Sequence, residues 1–484
     1  MPRVTSSAFS QRAIHFSSAH SANILKLQEQ ISSGVRFQRP SEEPISFRQL
    51  TSLKARYTEL SADRSAINRA TSVLNASVDQ IQDFAGVINH AKTLTQQGIQ
   101  ALDDDERTAL ALEVDGLLAQ LKSIASAQFN NKYLYGGTKS GAPPFEFSEP
   151  TDPTQTLGVT YTGSATRSRA SVSDSIAVDT YYSGEEIFGR RGRGDTVLIG
   201  DTGAKPGSGT DTFVGRTNLL VTHDTTTYLG TSGLQAGTDS AASDTIIGPP
   251  GTYSVTIVDT SGDGSAGTIS LNGSPPVAYT SADTNLKVEG SYGQAIYVDT
   301  TSIAAGFNGT VDLESTARMS IDGGQTDVAV DFTNNQIVVD SASQGAVMID
   351  STKIRQVGTD HLEFGGTTDA FQTLHALAAD LRNTRGLDSK AVAESLNRRL
   401  GDLEGIAKNA FETMGEQSTA LGTMQTLGFR VDDLMLAAEV QISETQATDL
   451  PNAVLNLENS QALLQYTYAV TADLSSLGLL EFLR

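Results

Sequence analysis

From Ser7 to about Gln128, and again from about Thr368 to Leu483, apolar residues return every three or four positions, which predicts helices at both ends of the chain. Between Ser148 and Val357 the pattern changes to short apolar runs separated by Thr, Ser, Asp and Gly, which predicts strands joined by turns. No repeat of roughly 20 to 50 residues is evident in that block. The first helix carries Phe9, Ala13, Phe16, Ile24, Leu27 and Ile31, and it should stop at Ser33-Gly34, where glycine can take the left-handed cap conformation. Ser41-Glu42-Glu43-Pro44 then supplies a capping hydroxyl, two carboxylates for the helix dipole and a first-turn proline, so a second helix starts there.

Along that second helix Leu53, Leu60, Ile67, Leu74, Ile81 and Ile88 recur every seven residues, while the four-residue partners Tyr57, Arg64, Thr71, Val78 and Ala85 are mixed. From Pro44 to Gln97 the helix would reach roughly 80 Å at ~1.5 Å per residue, a rod rather than a core helix. Asp103 and Glu106 have capping-box spacing for a third helix, with its stripe on Leu110, Val114, Leu117, Leu121 and Ile124.

The other end mirrors this. After a short helix bearing Phe371, Leu374, Leu377 and Leu381, a seam runs from Leu400 to Ile442 through Met414, Leu421, Met424, Val431, Met435 and Ala438, broken only at Gln417 and Gly428. A heptad seam of this length demands a neighbouring helix of similar length. Asp449-Leu450-Pro451 restarts the chain as a last helix that is apolar on two sides. Leu457, Leu464 and Tyr468 form one stripe, and Leu455, Leu463, Tyr466 and Val470 form another. One partner helix cannot cover so wide a stripe, so a second subunit is expected to bury Ile24, Leu27, Ile31, Leu457, Leu464 and Tyr468, together with Leu480 and Phe482 of a greasy tail.

The predicted fold class is α+β multidomain: a long antiparallel helical coiled-coil rod built from both termini, with an inserted, mainly β outer region. Five segments are expected. Residues 1–43 and 449–484 are terminal assembly helices, 44–147 and 358–448 are the two halves of the rod, and 148–357 form the outer region. The rod should pack through Leu53, Leu60, Ile67, Leu74, Ile81 and Ile88 against Leu421, Met424, Val431 and Met435.

Composition narrows the function. A chain of 484 residues exceeds what one core usually holds. A formal charge of -22 would repel a phosphate backbone, so nucleic acid is not an expected partner. With no cysteine, disulfide frameworks and thiolate metal sites are excluded. Trp is absent and aromatics are 6%, so packing should rest on aliphatic residues rather than large aromatic cores. The N-terminus lacks the apolar core of a cleavable signal, and no window approaches the ~18 apolar residues of a membrane span.

Catalytic signatures are missing: no His-Glu-x-x-His, Gly-x-Ser-x-Gly or phosphate-loop lysine occurs. No catalytic, cofactor or metal site is predicted, and no enzyme activity. Asp259 to Gly264 resembles the opening of a calcium loop, but Ser270 stands where a bidentate Glu is wanted, so a hairpin joining strands at Tyr253–Val258 and Thr268–Leu271 is preferred. Arg190, Arg191 and Arg193 read as a solvated linker, and His223-Asp224 as a surface turn.

Ile31 to Pro44, ISSGVRFQRPSEEP, resembles the element that links the first terminal helix to the rod in the flagellin superfamily. The residues carrying the likeness are Ser33, Gly34, Arg36, Pro40, Ser41, Glu42, Glu43 and Pro44. Asn131 to Phe145, NKYLYGGTKSGAPPF, the following Val159-Thr160-Tyr161-Thr162-Gly163 and the closing LLEFLR are similar to the hook-filament junction branch of that superfamily. The resemblance implies a structural flagellar subunit, exported without a cleavable signal through the flagellar type III channel and assembled outside the cell as a ring between hook and filament. It implies as partners other copies of itself, hook-associated protein 1, flagellin and an export chaperone. Two alternatives stay open: a filament subunit, and a flagellar surface protein whose β region binds glycans.

Overall fold

The computed structural model describes residues 3–150, 154–173, 176–190 and 192–482, with side chains left undescribed at 3–7, 9–10 and 474–482. Three helices open the chain: α1 (Arg3–Ser33), α2 (Pro44–Gln100) and α3 (Asp104–Ala125). Asp103 caps α3 by accepting the Glu106 N–H at 2.7 Å. Small ribbons follow, β1 (Gln128–Phe129) with β2 (Lys132–Tyr133), β3 (Phe145–Ser148) with β4 (Gly158–Tyr161), and β5 (Ser168–Ser173) with β6 (Ile176–Tyr181), then the short α4 (Gly184–Phe188).

The β region proper contains β7 (Thr196–Ile199), β8 (Lys205–Pro206), β9 (Arg216–Tyr228), β10 (Gln235–Ala236), α5 (Ser240–Ser243), β11 (Gly248–Asp259), β12 (Ala266–Leu271) and β13 (Val277–Thr280). It continues with β14 (Leu286–Glu289), β15 (Ala295–Asp299), β16 (Asn308–Ser320), β17 (Val328–Ala329), β18 (Gln336–Val339), β19 (Ala346–Asp350) and β20 (Gly358–Phe364). Three helices close the chain: α6 (Ala370–Leu381), α7 (Ser389–Gln446) and α8 (Leu450–Phe482). The architecture is α+β, and among the described residues no helix is long and apolar enough to cross a membrane.

Two compact units make up the chain, and their boundaries fall inside α2, β5, β6 and α7. One holds Met1–Ser72, Ala170–Val178 and Ala420–Arg484, the other Val73–Arg169 and Asp179–Thr419. In the first, α1 packs on α8. Leu60 and Ile67 of α2 and Met424 and Val431 of α7 are buried, while Leu53, Leu421 and Met435 are half-buried. Gly428 leaves room for the Arg64 side chain: a Cβ there would lie 2.9 Å from Arg64 Nη1, and Arg64 pairs with Asp432 at 2.7 Å. The seam break at Gly428 is thus the groove for a cross-helix ion pair.

In the second unit Leu74, Ile81 and Ile88 are fully buried. Gln417 is also fully buried, and neither amide atom has a hydrogen-bond partner among the described residues. Phe84, Phe145, Phe188 and Phe371 form a cluster with ring centroids 4.8 to 5.8 Å apart, joined by Tyr135 5.1 Å from Phe188. The scarcity of aromatics therefore did not prevent an aromatic core, because the few present are concentrated in one place.

Two boundary expectations are corrected. The β region does not end at Val357: Gly358–Phe364 is β20, held between β9 and β7. Its polar letters His361 and Glu363 hid the alternation, since Glu363 is buried by ion pairing rather than by apolar character. Strand pairing also begins before Ser148, in the ribbons from Gln128 onward.

The expectation of no repeat is corrected as well, for the β region is a duplicated module with one copy inserted into the other. The main sheet runs β13-β12-β11-β16-β9-β20-β7, with β17 on β16. One module reads β13-β12-β11-β16-β9 and the other β17-β16-β9-β20-β7, so the 13-residue strands β9 and β16 serve both. Each module adds a three-stranded sheet, β10-β15-β14 or β8-β19-β18, and each has its own core.

The equivalence extends to single bonds. Asp244 accepts the Tyr297 N–H and Asp211 the Met348 N–H, both at 2.7 Å, while Asp299 caps the turn at Thr301 as Asp350 does at Thr352. The sequence trace is Asn285…Val288…Ala295…Val298-Asp-Thr-Thr-x-Ile303 against Asn335…Val338…Ala346…Ile349-Asp-Ser-Thr-x-Ile354. The two stretches lie about 50 residues apart and share few identical letters, so their likeness is carried by strand pairing and turn caps more than by composition.

The burial gradient along α2 predicts unequal costs. Leu74→Ala should lose about 3 kcal/mol and Leu53→Ala about 1, because only the first leaves a closed cavity. Urea titration followed by helix ellipticity, on the full chain, checks the ratio.

Candidate functional site

Residues 31–44 make a tight link from α1 to α2. Gly34 takes φ 68° and its N–H bonds the Gln30 carbonyl at 2.9 Å, which ends α1 where glycine tolerates the left-handed region. The chain then meets its other end. Val35 bridges Ala447, Arg36 N–H donates to the Gln446 carbonyl at 2.8 Å, and Thr448 N–H donates to the Gly34 carbonyl at 3.0 Å. The stop of α1 and the α7–α8 turn are therefore one hydrogen-bonded clamp.

The polar residues of the link serve it locally. Arg36 Nη2 donates to Glu43 Oε2 at 2.8 Å and Ser46 Oγ at 3.3 Å. Glu42 Oε2 accepts the N–H groups of Gln38 at 2.8 Å and Arg39 at 3.3 Å, which holds its carboxyl below the usual range. Beneath them Phe37 is 2% exposed and meets Phe47 edge-on at 6.3 Å. Ser41 does not cap α2 as expected: it makes no cap hydrogen bond among the described residues and is exposed, as are Pro40 and Pro44. Glu43 stands next to the first turn instead, its carbonyl accepting the Phe47 N–H at 2.9 Å.

The terminal helices sort their apolar residues differently from expectation. Ile24, Leu27 and Ile31 on α1 and Leu457 and Leu464 on α8 are half-buried within the chain itself, and Ala453, one turn before Leu457 in the same phase, is buried. Tyr468 belongs to the outer side, 56% exposed, because Thr467 occupies the seam position three residues after Leu464. Phe16 is likewise outside the α1 seam, which Ala13, Ser17 and His20 continue. The uncovered face of α8 carries Leu455, Leu463, Tyr466 and Val470, each at least half exposed, while Tyr468 is exposed on the flank of the seam. Leu480 and Phe482 have side chains outside the described residues, as does Leu483 altogether.

The minor candidates resolve into structure. Asp259 Oδ1 accepts the N–H groups of Ser261 and Gly262, and Oδ2 those of Gly264 and Gly306, all within 3.0 Å. Although burial acts to raise its carboxyl, those donors hold it down at about 2, so the oxygens that would face a cation tie the hairpin instead. His223 lies within β9, not in a surface turn. Its ring is 3% exposed and shares Thr226 with Asp244, at 2.8 Å to the hydroxyl. Arg193 is fixed, donating to the Phe213 carbonyl at 2.5 Å with its guanidinium 5.7 Å from the Phe364 ring. Arg191 lies outside the described residues.

Sequence reasoning missed a buried charge cluster in the second unit. Glu363 of β20, 2% exposed, meets Arg216 at 3.1 Å, Arg385 at 2.6 Å, Arg398 at 2.7 Å and Arg399 at 3.2 Å. Asp380 of α6 pairs with Arg385 at 2.7 Å, with Arg399 at 3.3 Å and with Arg216. Burial acts to raise the Glu363 carboxyl, but Arg399, Arg216, Arg385 and Arg398 outweigh it and hold it well below the carboxylate range. The cluster rivets β20, β9, α6 and α7. No local signal marks it, since its members lie up to 183 positions apart in the chain.

With this geometry in view, comparison with known proteins places the N-terminal part of the chain. Residues 6–140 match the bacterial flagellin N-terminal helical region. Flagellar hook-associated protein 3 of Salmonella typhimurium is 31% identical over 127 residues, which cover 26% of this chain and 40% of that protein. The Escherichia coli protein of the same name is 25% identical over 171 residues, 34% of this chain and 50% of that one. The chain thus spans half or less of the curated relatives it matches. Among solved structures, FlgL of Xanthomonas campestris is 16% identical, covering 80% of this chain and 98% of that chain at TM-score 0.38. The flagellar junction protein FlgL from Legionella pneumophila is 14% identical, covering 82% and 100%, also at 0.38. The likeness to the flagellin N-terminal region therefore includes the link and extends well beyond it.

Two measurements test the site's electrostatics. Glu363→Gln leaves four guanidiniums without their shared carboxylate and should cost about 3 to 5 kcal/mol in denaturant unfolding at neutral pH. Burial pushes the Asp369 carboxyl, the N-cap of α6, from 3.8 up to about 6. The native state then binds the proton more tightly than the unfolded chain, so this group's contribution is full below its unfolded value and lost as pH rises through its native one. Asp369→Asn keeps the acceptor for Gln372 and should flatten stability between those two values, as read by melting temperature against pH.

Proposed function

We propose that this protein is a structural, non-catalytic subunit of the bacterial flagellum that joins hook to filament. It is assembled outside the cell by packing of its terminal helices against neighbouring subunits. The observation that carries the reading is the uncovered apolar face of α8 on a chain whose first third matches the flagellin N-terminal helical region. A face holding Leu463, Tyr466 and Val470 in water is unfavourable in a lone chain and is covered in an assembly. The names of the curated relatives support the junction as the place.

In this reading 1–43 and 449–484 are the assembly helices, and α2 with α7 forms a coiled-coil rod. The duplicated β modules, through Phe364, form the outer region. The partners are other copies in a ring, hook-associated protein 1, flagellin and an export chaperone, and the chain leaves the cell without a cleavable signal. The likeness to the flagellin N-terminal region also favours a filament subunit as the second reading. Purified chain separates the two, since a filament subunit extends seeded filaments indefinitely and a junction protein stops after one layer.

The assembly face can be tested directly. In a strain lacking the gene, the parent chain should restore attached filaments, whereas Leu463→Asp with Tyr466→Asp should shed filaments into the medium while the helical content of the purified chain is kept. Attached, working filaments in the deletion strain itself would overturn the reading.

A further inference from the structure

The two sides of the first unit carry opposite charge. Residues 1–72 hold ten Lys and Arg against five Asp and Glu, whereas residues 420–484 hold two against eight. Within the unit the N-terminal helices pack against the C-terminal ones, α1 on α8 and α2 on α7 at the Arg64–Asp432 pair. The surfaces turned away from those seams are therefore basic on one side and acidic on the other.

The segregation is more than internal pairing of the helices. Arg12, Lys26, Lys54, Arg56 and Arg69 are exposed and form no ion pair among the described residues. The same holds for Asp433, Glu439, Glu444 and Glu458. Both sides also carry apolar residues in the open. Ile14, Leu25 and Ile45 are 67% to 74% exposed on the basic side, and Phe429, Leu436 and Tyr466 are 62% to 71% exposed on the acidic one. A surface that joins like to like would set each charge against its own kind, at a cost that grows as the apolar residues draw the copies together. Opposite faces avoid this.

Resting on the assembly reading above, we propose that copies pack head to tail around the ring, the acidic α7–α8 face of one against the basic α1–α2 face of the next. Such an interface is heterologous: the two contacting patches differ, each copy offers one of each, and closure of the ring uses up both. The apolar residues supply contact area, while the charges select partner and register.

The test is a charge exchange read in cells that lack the native copy, by the amount of chain retained on sheared hook-filament preparations. One variant carries Lys54→Glu, Arg56→Glu and Arg69→Glu, another Asp433→Lys, Glu439→Lys and Glu444→Lys. Each alone should fall about tenfold in retention. Produced together they should recover, because the unchanged acidic face of the first meets the unchanged basic face of the second, and their altered faces also match. Recovery in the mixture cannot arise within a chain, since each variant keeps one sign on both of its own sides.

Recovery only when all six changes sit in one chain would assign the charges to internal helix pairing and overturn the proposal. So would failure of the mixture while both variants keep parental helicity and export. Full retention of either variant alone would overturn it as well. Loss of the junction role itself is read separately, by attached filaments in the deletion strain.

Discussion

The joining of the chain's beginning to its end is the constraint from which the rest follows. Val35 bridges Ala447, and two further backbone bonds flank that bridge, so the end of α1 and the start of α8 are fixed by the same few atoms. Neither α1 nor α8 has enough apolar surface on one side to stand alone in water. Their seam is thin, with Ser17 and His20 on one helix and Ser460 and Thr467 on the other among the half-buried positions. A thin seam covers one stripe and leaves the second stripe of α8, with Leu463, Tyr466 and Val470, open to water.

The second unit is held by a different kind of contact. Where β20 meets α6 and α7, Glu363 and Asp380 lie among four arginines with almost no access to water. Burying such charges is costly unless each is matched, so the cluster tolerates few alternative arrangements and sets which strand faces which helix. The aromatic cluster of Phe84, Phe145, Phe188 and Phe371 fastens the small ribbons by apolar contact. Beyond these anchors the nested β modules repeat one solution twice, each with a closed core, and the long strands β9 and β16 carry one module into the other.

Opposite charge on the two sides of the terminal unit complements the thin seam. Apolar contact alone would let copies meet in several registers. In the packing proposed above, a basic face that meets an acidic one permits a single sense of rotation and disfavours face-to-face pairs.

Much of the helical framework was determined by the sequence itself, because its signals are local. Gly34 ends α1, Pro44 opens α2, Asp103 caps α3, and the seven-residue repeat from Leu53 to Ile88 marks a buried stripe, each within a few positions of the residues it acts on. Tertiary structure alone decided what depends on distant partners. The polar letters of Glu363 pointed outward until four arginines met it, and Tyr468 looked like a seam residue until Thr467 took that place. The duplicated module stayed hidden because its two copies share few identical letters and are matched by strand pairing between distant segments. Periodicity reports which side of an element is apolar; which neighbour covers that side is fixed only when the chain ends come together.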